Sequence, residues 1–277
     1  MPISGPTRWL LRLGSLLTLA FLYFPLVVIA IYAFNTTRVQ TWPPSGLSLH
    51  WFDDAFNNSG ARDALWTSVR VALGATAIAL VLGSLAAYAL ARHDFFGKES
   101  VAFLLVLPIA LPGIVTGMAL NATFTQILHV SLAVWTIVVA HVTFCIVVIF
   151  NNVVARLRRT PASLEEAGAD LGAVPRRTFA DITFPQMRSA LIAGALLAFA
   201  LSFDEVIVTT FTAGSTETLP IWILSNLQRP NQLPVVNVVA VLVIVLSIIP
   251  VYIAQRLSAD PVTAAGTVTD VPAVPGD

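Results

Sequence analysis

The chain reads as an all-α integral membrane protein with six transmembrane helices. Three observations predict that class. Of its 277 residues, 57% are hydrophobic and only 11% are charged, and its mean hydropathy is +0.83, far from soluble composition. The apolar residues fall into runs of about 20, the length that crosses a hydrocarbon core. The basic residues gather in alternate connections between those runs, as they do where loops face the cytoplasm. In lipid every backbone polar group needs an internal partner, so apolar runs of this length are expected as helices. Net charge is zero, and nothing in its distribution suggests a nucleic-acid partner.

The elements follow in order. Arg8 and Arg12 precede an apolar run from about Leu13 to Phe34, longer than the core of a cleaved signal, which is expected as a retained helix. Residues 35–62 cannot span. Trp42-Pro43-Pro44-Ser45-Gly46 and the later Leu49, Trp51, Phe52 and Phe56 suggest a loop and a short helix resting on the outer interface. The second span covers about Ala64 to Ala91, with Gly74 and Gly83 suited to close packing. The third, about Val101 to Phe124, holds Pro108, Pro112, Gly113 and Gly117, so it is expected as a kinked helix with a small-residue contact face. The fourth, about Leu132 to Val154, leads into Arg156, Arg158 and Arg159; the fifth runs from about Ser189 to Ala213 and the sixth from about Pro234 to Ala254. The tail, with Pro261, Pro272 and Pro275, is expected to be disordered. This divides the chain into a first helix and external loop (1–61), a transmembrane domain (62–256) and a cytoplasmic tail (257–277).

With both termini inside, Arg92, Lys98, Arg156, Arg158, Arg159, Arg176, Arg177 and Arg188 fall on the cytoplasmic side, against Arg38, Arg62 and Arg229 outside. Trp9, Trp66, Trp135 and Trp222 lie near the ends of predicted helices, as an aromatic belt would. Cys145 is alone, so no internal disulfide forms. No catalytic constellation is visible. Gly97-Lys98-Glu99 lacks the first glycine and the hydroxyl of a phosphate loop, and His50, His93, His129 and His141 have no metal-ligand spacing.

Between the fourth and fifth spans lies the polar stretch Glu165-Glu166-Ala167-Gly168-Ala169-Asp170-Leu171-Gly172, continuing to Ile182-Thr183-Phe184-Pro185. It predicts two short helices. Thr160 and Pro161 open the first, Glu165 and Glu166 complement its positive end, Gly172 closes it, Pro175 starts the second and Pro185 interrupts the backbone. The spacing Glu166-Ala167-x-x-x-x-Gly172 … Ile182-x-x-Pro185 resembles the E-A-A-x-x-x-G…I-x-L-P loop of permease subunits of bacterial binding-protein-dependent ABC importers. Gly168 and Phe184 are its departures from that pattern.

That resemblance implies the type I importer transmembrane fold over about 62–256, with the loop as a coupling helix docked on a cytoplasmic ATPase. Glu165, Glu166, Ala167, Gly168, Asp170, Gly172 and Pro185 are then the docking residues. It further implies a bacterial inner-membrane location, a homologous permease subunit, an ATPase dimer that binds ATP and Mg, and an external substrate-binding protein. The chain itself would hold no cofactor and no metal and would be no enzyme.

The fifth span carries Asp204 and Glu205 in Leu201-Ser202-Phe203-Asp204-Glu205-Val206. Ionisable residues at membrane depth cost about 2.5–3.5 kcal/mol each on insertion scales and normally face a bundle interior or an aqueous pathway. Two carboxylates there would favour a cationic solute. Arg70 lies at a similar expected depth, so Arg70 and Glu205 are candidates for a structural ion pair, and all three residues are candidates for a solute pathway or gate. The segment resembles the permeases of spermidine/putrescine importers, as does Thr218-Leu219-Pro220-Ile221-Trp222, which implies a polyamine solute. The alternatives are another solute, such as an amino acid or an opine, and a stand-alone transporter that couples these carboxylates to protons.

Overall fold

The computed structural model describes residues 5–258. Helix α1 spans Gly5–Ala33, α2 His50–Asn57 and α3 Ser59–Arg92. Next come α4 (Lys98–Ala110), α5 (Gly113–Ala122) with a π turn to Ile127, and α6 (Val134–Arg159). The connecting hairpin holds α7 (Ser163–Asp170), α8 (Pro175–Thr178) and a second π turn, Phe179–Thr183. Helices α9 (Phe184–Asp204), α10 (Ile207–Thr212), α11 (Leu219–Leu227) and α12 (Leu233–Ser258) complete the order. The expected tail lies outside the described residues apart from Leu257 and Ser258, which belong to α12. Among the described residues, four helical stretches are by themselves long and apolar enough to cross a bilayer: Thr7–Ala33, α3, α6 and Pro175–Asp204.

The centre is built on small residues. Along α3 the buried positions Ala64, Ser68, Ala72, Ala75, Ala79, Gly83, Ala87 and Leu90 recur every three or four residues, a single helical face. That face packs on α6 and α9. A Cβ on Gly83 would lie 3.0 Å from the Ile146 carbonyl oxygen, so glycine here lets two backbones approach. In lipid, water exclusion does not drive helices together, so dispersion from such close contact carries the association. Helix α1, by contrast, leaves nearly its whole surface uncovered and packs against α12.

The third span is more than kinked. Helix α4 ends at Ala110, Leu111 and Pro112 are extended or non-helical, and α5 leaves at 103° to α4. Pro112 has no N–H to continue the ladder and disfavours helix at the residue before it. Helix α4 packs on α6 and α5 packs on α10. Since α4 begins beside the end of α3 and α10 follows the 21-residue α9, the bent pair runs from one end of the bundle into the other half. Gly113 and Gly117 supply the contact: a Cβ on Gly117 would meet the Phe211 ring at 2.7 Å.

Two aromatic expectations are corrected. Trp51 and Trp222 are buried in a cluster with Ala33, Ala61, Leu219 and Val236, and Trp51 Nε1 donates to the Asn35 carbonyl at 2.7 Å. They belong to the core of the α2–α11–α12 end rather than to an interfacial layer, whereas Trp9, Trp66 and Trp135 are exposed. Indole N–H groups find a partner when buried, and Asn35 provides it.

Gly117→Val should therefore overpack the α5–α10 contact and cost about 1–3 kcal/mol, read as a lower melting temperature of the detergent-solubilised complex. Adding Phe211→Ala should recover part of the loss; no recovery would disprove the contact.

Candidate functional site

Two places hold the residues singled out by sequence, and α9 joins them. At the basic end, α7 stops in a way that only a few residues permit. Gly172 has φ +82°, Gly172 N–H donates to the Ala169 carbonyl at 2.8 Å and Ala173 N–H to the Gly168 carbonyl at 3.0 Å. This is a Schellman ending, which needs a left-handed residue. Space around Gly172 is open, so the backbone conformation, not room for a partner, demands glycine. Gly168 serves differently: a Cβ there would come within 2.9 Å of Ile182 Cδ1, so α7 lies close against the second π turn.

Exposure separates the loop's acids. Glu166, Ala167, Asp170 and Leu171 face outward, with Leu171 90% exposed. Glu165 faces inward: its Oε1 pairs with Arg92 Nε at 3.0 Å and accepts the Thr183 hydroxyl at 3.1 Å. Glu165 is thus an internal contact of this chain, unlike its neighbour. Two further local expectations change. Thr160 is the C-terminal cap of α6 rather than an N-cap, and α7 starts at Ser163. Pro185 does not interrupt the chain but stands at the start of α9, because the preceding π turn supplies the slack that its ring requires.

At the other end of α9 the fifth span is broken. Helix α9 stops at Asp204, Glu205 is extended (φ −71°, ψ 120°), and α10 restarts at Ile207. Side chains rescue the freed backbone groups. At the break Glu205 Oε1 accepts the Val208 N–H at 2.9 Å and Thr209 Oγ1 donates to the Glu205 carbonyl at 2.7 Å; at the far end of α10 Asn121 Nδ2 donates to the Phe211 carbonyl at 2.6 Å and Thr136 Oγ1 to the Thr212 carbonyl at 2.7 Å. His141, buried in α6, bridges the break, with Nδ1 2.8 Å from Ser202 Oγ and Nε2 2.8 Å from Thr209 Oγ1. Because the Thr209 hydroxyl spends its proton on Glu205, Nε2 is the donor to Thr209 and Nδ1 accepts from Ser202.

Arg70 and Glu205 do not pair. The Arg70 guanidinium lies 5.8 Å from the centroid of the Trp66 ring, and Glu205 is occupied by α10. Asp204 is exposed and has no hydrogen-bond or ion-pair partner among the described residues. The sequence reading gave no hydrogen-bonding role to His141, Ser202, Thr209, Asn121 or Arg92; only His141 carried a signal for one, as an ionisable group inside an apolar run.

These features define a class: a helical membrane bundle with an exposed acidic hairpin at its basic end and an acid at a helix break in its other half. The chain belongs to the binding-protein-dependent transport system inner membrane components, whose family model matches residues 79–261. It is 35% identical over 237 residues to the putrescine transport system permease protein PotI of Escherichia coli K12, covering 83% of each chain. It is also 35% identical to the spermidine/putrescine transport system permease protein PotC of Haemophilus influenzae, over 86% of this chain and 92% of that one. Its fold matches a chain from the crystal structure of a bacterial ABC transporter that imports the acidic polysaccharide alginate, with a TM-score of 0.74 at 15% identity over 92% of this chain and 99% of the other. The fold is that of an ABC importer transmembrane domain.

His141→Phe keeps the ring but leaves two hydroxyls without their partner, so it should cost about 1–3 kcal/mol in thermal unfolding of the solubilised complex; an unchanged melting temperature would contradict the bridge. Gly172→Ala should destabilise the hairpin by about 1–2 kcal/mol through the left-handed conformation, and Gly172→Asn by less, measured as faster hydrogen exchange over 163–173.

Proposed function

We propose that this chain is the membrane-spanning permease subunit of an ATP-driven importer for putrescine, spermidine or a closely related polyamine. The observation that carries the reading is α9 itself. It begins at the acidic hairpin and ends at Asp204, so one rod of 21 residues, about 30 Å at 1.5 Å per residue, links a docking surface to a cation-attracting end.

The hairpin is the surface for the ATPase. Glu166 and Asp170 present carboxylates to basic groups of the partner, and Leu171 offers an apolar contact beside them. The excess of arginine at this end supports its placement in the cytoplasm, with both termini on that side of the inner membrane. The homologous permease would cover the face of α9 formed by Ser189, Ala193, Leu196, Ala200 and Asp204. These residues share one helical face and are half-buried or exposed. Ser189, Ala193 and Ala200 are small enough for close approach, and Leu196 stands between them as an apolar knob. That face runs from a cavity of about 400 Å³ lined by Asn152, Arg156 and Ser189 toward Asp204.

Asp204 sits where the carbonyl end of α9 adds its own negative character. An ammonium group delivered by an external binding protein meets a carboxylate and the helix terminus together. Because α9 is continuous from the hairpin to Asp204, a displacement of the hairpin reaches this end, which suits a site exposed alternately to the two sides. ATP and Mg belong to the ATPase.

In proteoliposomes carrying the assembled importer, Asp204→Asn should lower ATP-dependent putrescine uptake about tenfold or more, with the complex still intact. Glu205→Gln, whose amide oxygen can still accept the Val208 N–H, should retain most uptake. Wild-type uptake by Asp204→Asn would disprove the role of the acid; uptake by this chain alone under a pH gradient would favour proton coupling instead.

A further inference from the structure

The Arg92 guanidinium stands at a junction of four elements. Its Nε reaches Glu165 of α7 at 3.0 Å, while Nη1 and Nη2 reach the Thr160 carbonyl at 3.4 Å and Nη1 the Leu157 carbonyl at 3.5 Å. Arg92 is the last residue of α3, and the two carbonyls belong to the end of α6, where backbone acceptors lack helical donors and a cation is favoured. Glu165 accepts in turn from Thr183, at the entry to α9. The paired side chains are only 10% and 16% exposed, so water does not replace either partner once the other is gone.

We propose that Arg92 is a positioning residue for energy coupling: through Glu165 it clips the docking hairpin to the ends of α3, α6 and α9, so that a stroke delivered to α7 moves all three spans as one body. The proposal rests on the hairpin being the ATPase-docking element, and adds how the force leaves it. The planar fork of arginine is what allows it. One guanidinium engages a carboxylate and two carbonyls at once, whereas a lysine ammonium, as a point charge on a flexible stem, holds fewer of them in a fixed geometry. Glu166, the next residue, is exposed. Adjacent acids of one short helix therefore divide the work, one facing the motor and one facing the bundle. With the clip open, α7 can follow the ATPase while the spans stay behind, and ATP is hydrolysed without transport.

The test uses the full importer in proteoliposomes with its ATPase, partner permease and putrescine-loaded binding protein, measuring putrescine imported per ATP hydrolysed. Arg92→Gln and Glu165→Gln should each lower that ratio about tenfold while the ATPase still co-purifies, and Arg92→Lys should fall between them and the unsubstituted chain. An unchanged ratio in the Gln variants overturns the proposal. So does loss of the ATPase from them, since the pair would then be a docking contact rather than a joint. An ATPase that also binds Glu166→Lys normally would count against the docking reading itself.

Discussion

Inside a bilayer no water is available to a backbone N–H or C=O, and this constraint governs how the membrane-spanning part of the chain is built. It makes the chain helical wherever it is apolar. It also means that a helix can stop within the membrane only where side chains take over the hydrogen bonds. Both ends of α10 meet that condition: Glu205 and Thr209 bond backbone groups at the break that precedes it, and Asn121 of α5 and Thr136 of α6 take the carbonyls of Phe211 and Thr212 where it ends. His141 holds the two sides of the break in register by joining Ser202 to Thr209. Polar side chains from several elements thus gather around α10, where regular structure ends.

This distribution assigns different work to neighbouring acids. Glu205 is consumed in capping α10 and Glu165 in pairing with Arg92, while Asp204 and Glu166 stay exposed. In each adjacent pair one carboxylate maintains the fold and the other is available to an outside partner. Helix α9 lies between the two pairs. It is anchored to α6 at its first turns, where Arg156 Nε donates to the Gln186 carbonyl at 3.0 Å, and packs on α3 and α6 along its length. It is suited to carry displacement rather than to absorb it.

Four of the six expected spans were legible in the sequence as single long helices among the described residues, because hydropathy is a local property: a run of about 20 apolar residues specifies a crossing whatever its neighbours do. The α7 ending was legible too, since a glycine closing a polar helix has a local meaning. What was hidden depends on distant residues. Nothing in Leu201–Phe211 is a glycine or proline, so the apolar run reads as continuous helix, and its break is bridged from α6 by His141. Pro112 announced an interruption, but its 103° angle requires α5 to find α10. Trp51 and Trp222 have the positions of interfacial residues and become core because α2 and α11 fold onto α12. Arg92 and Glu165 are 73 residues apart, a separation at which sequence spacing says nothing of contact.

The central claim is that the exposed acidic hairpin lies on the cytoplasmic side, where a motor can reach it. Site-directed labelling of Asp170→Cys with a membrane-impermeant thiol reagent tests this directly, because Cys145 is buried and does not compete. Labelling in inside-out vesicles but not in intact spheroplasts is the predicted result; labelling from the outer face of intact spheroplasts would contradict the account.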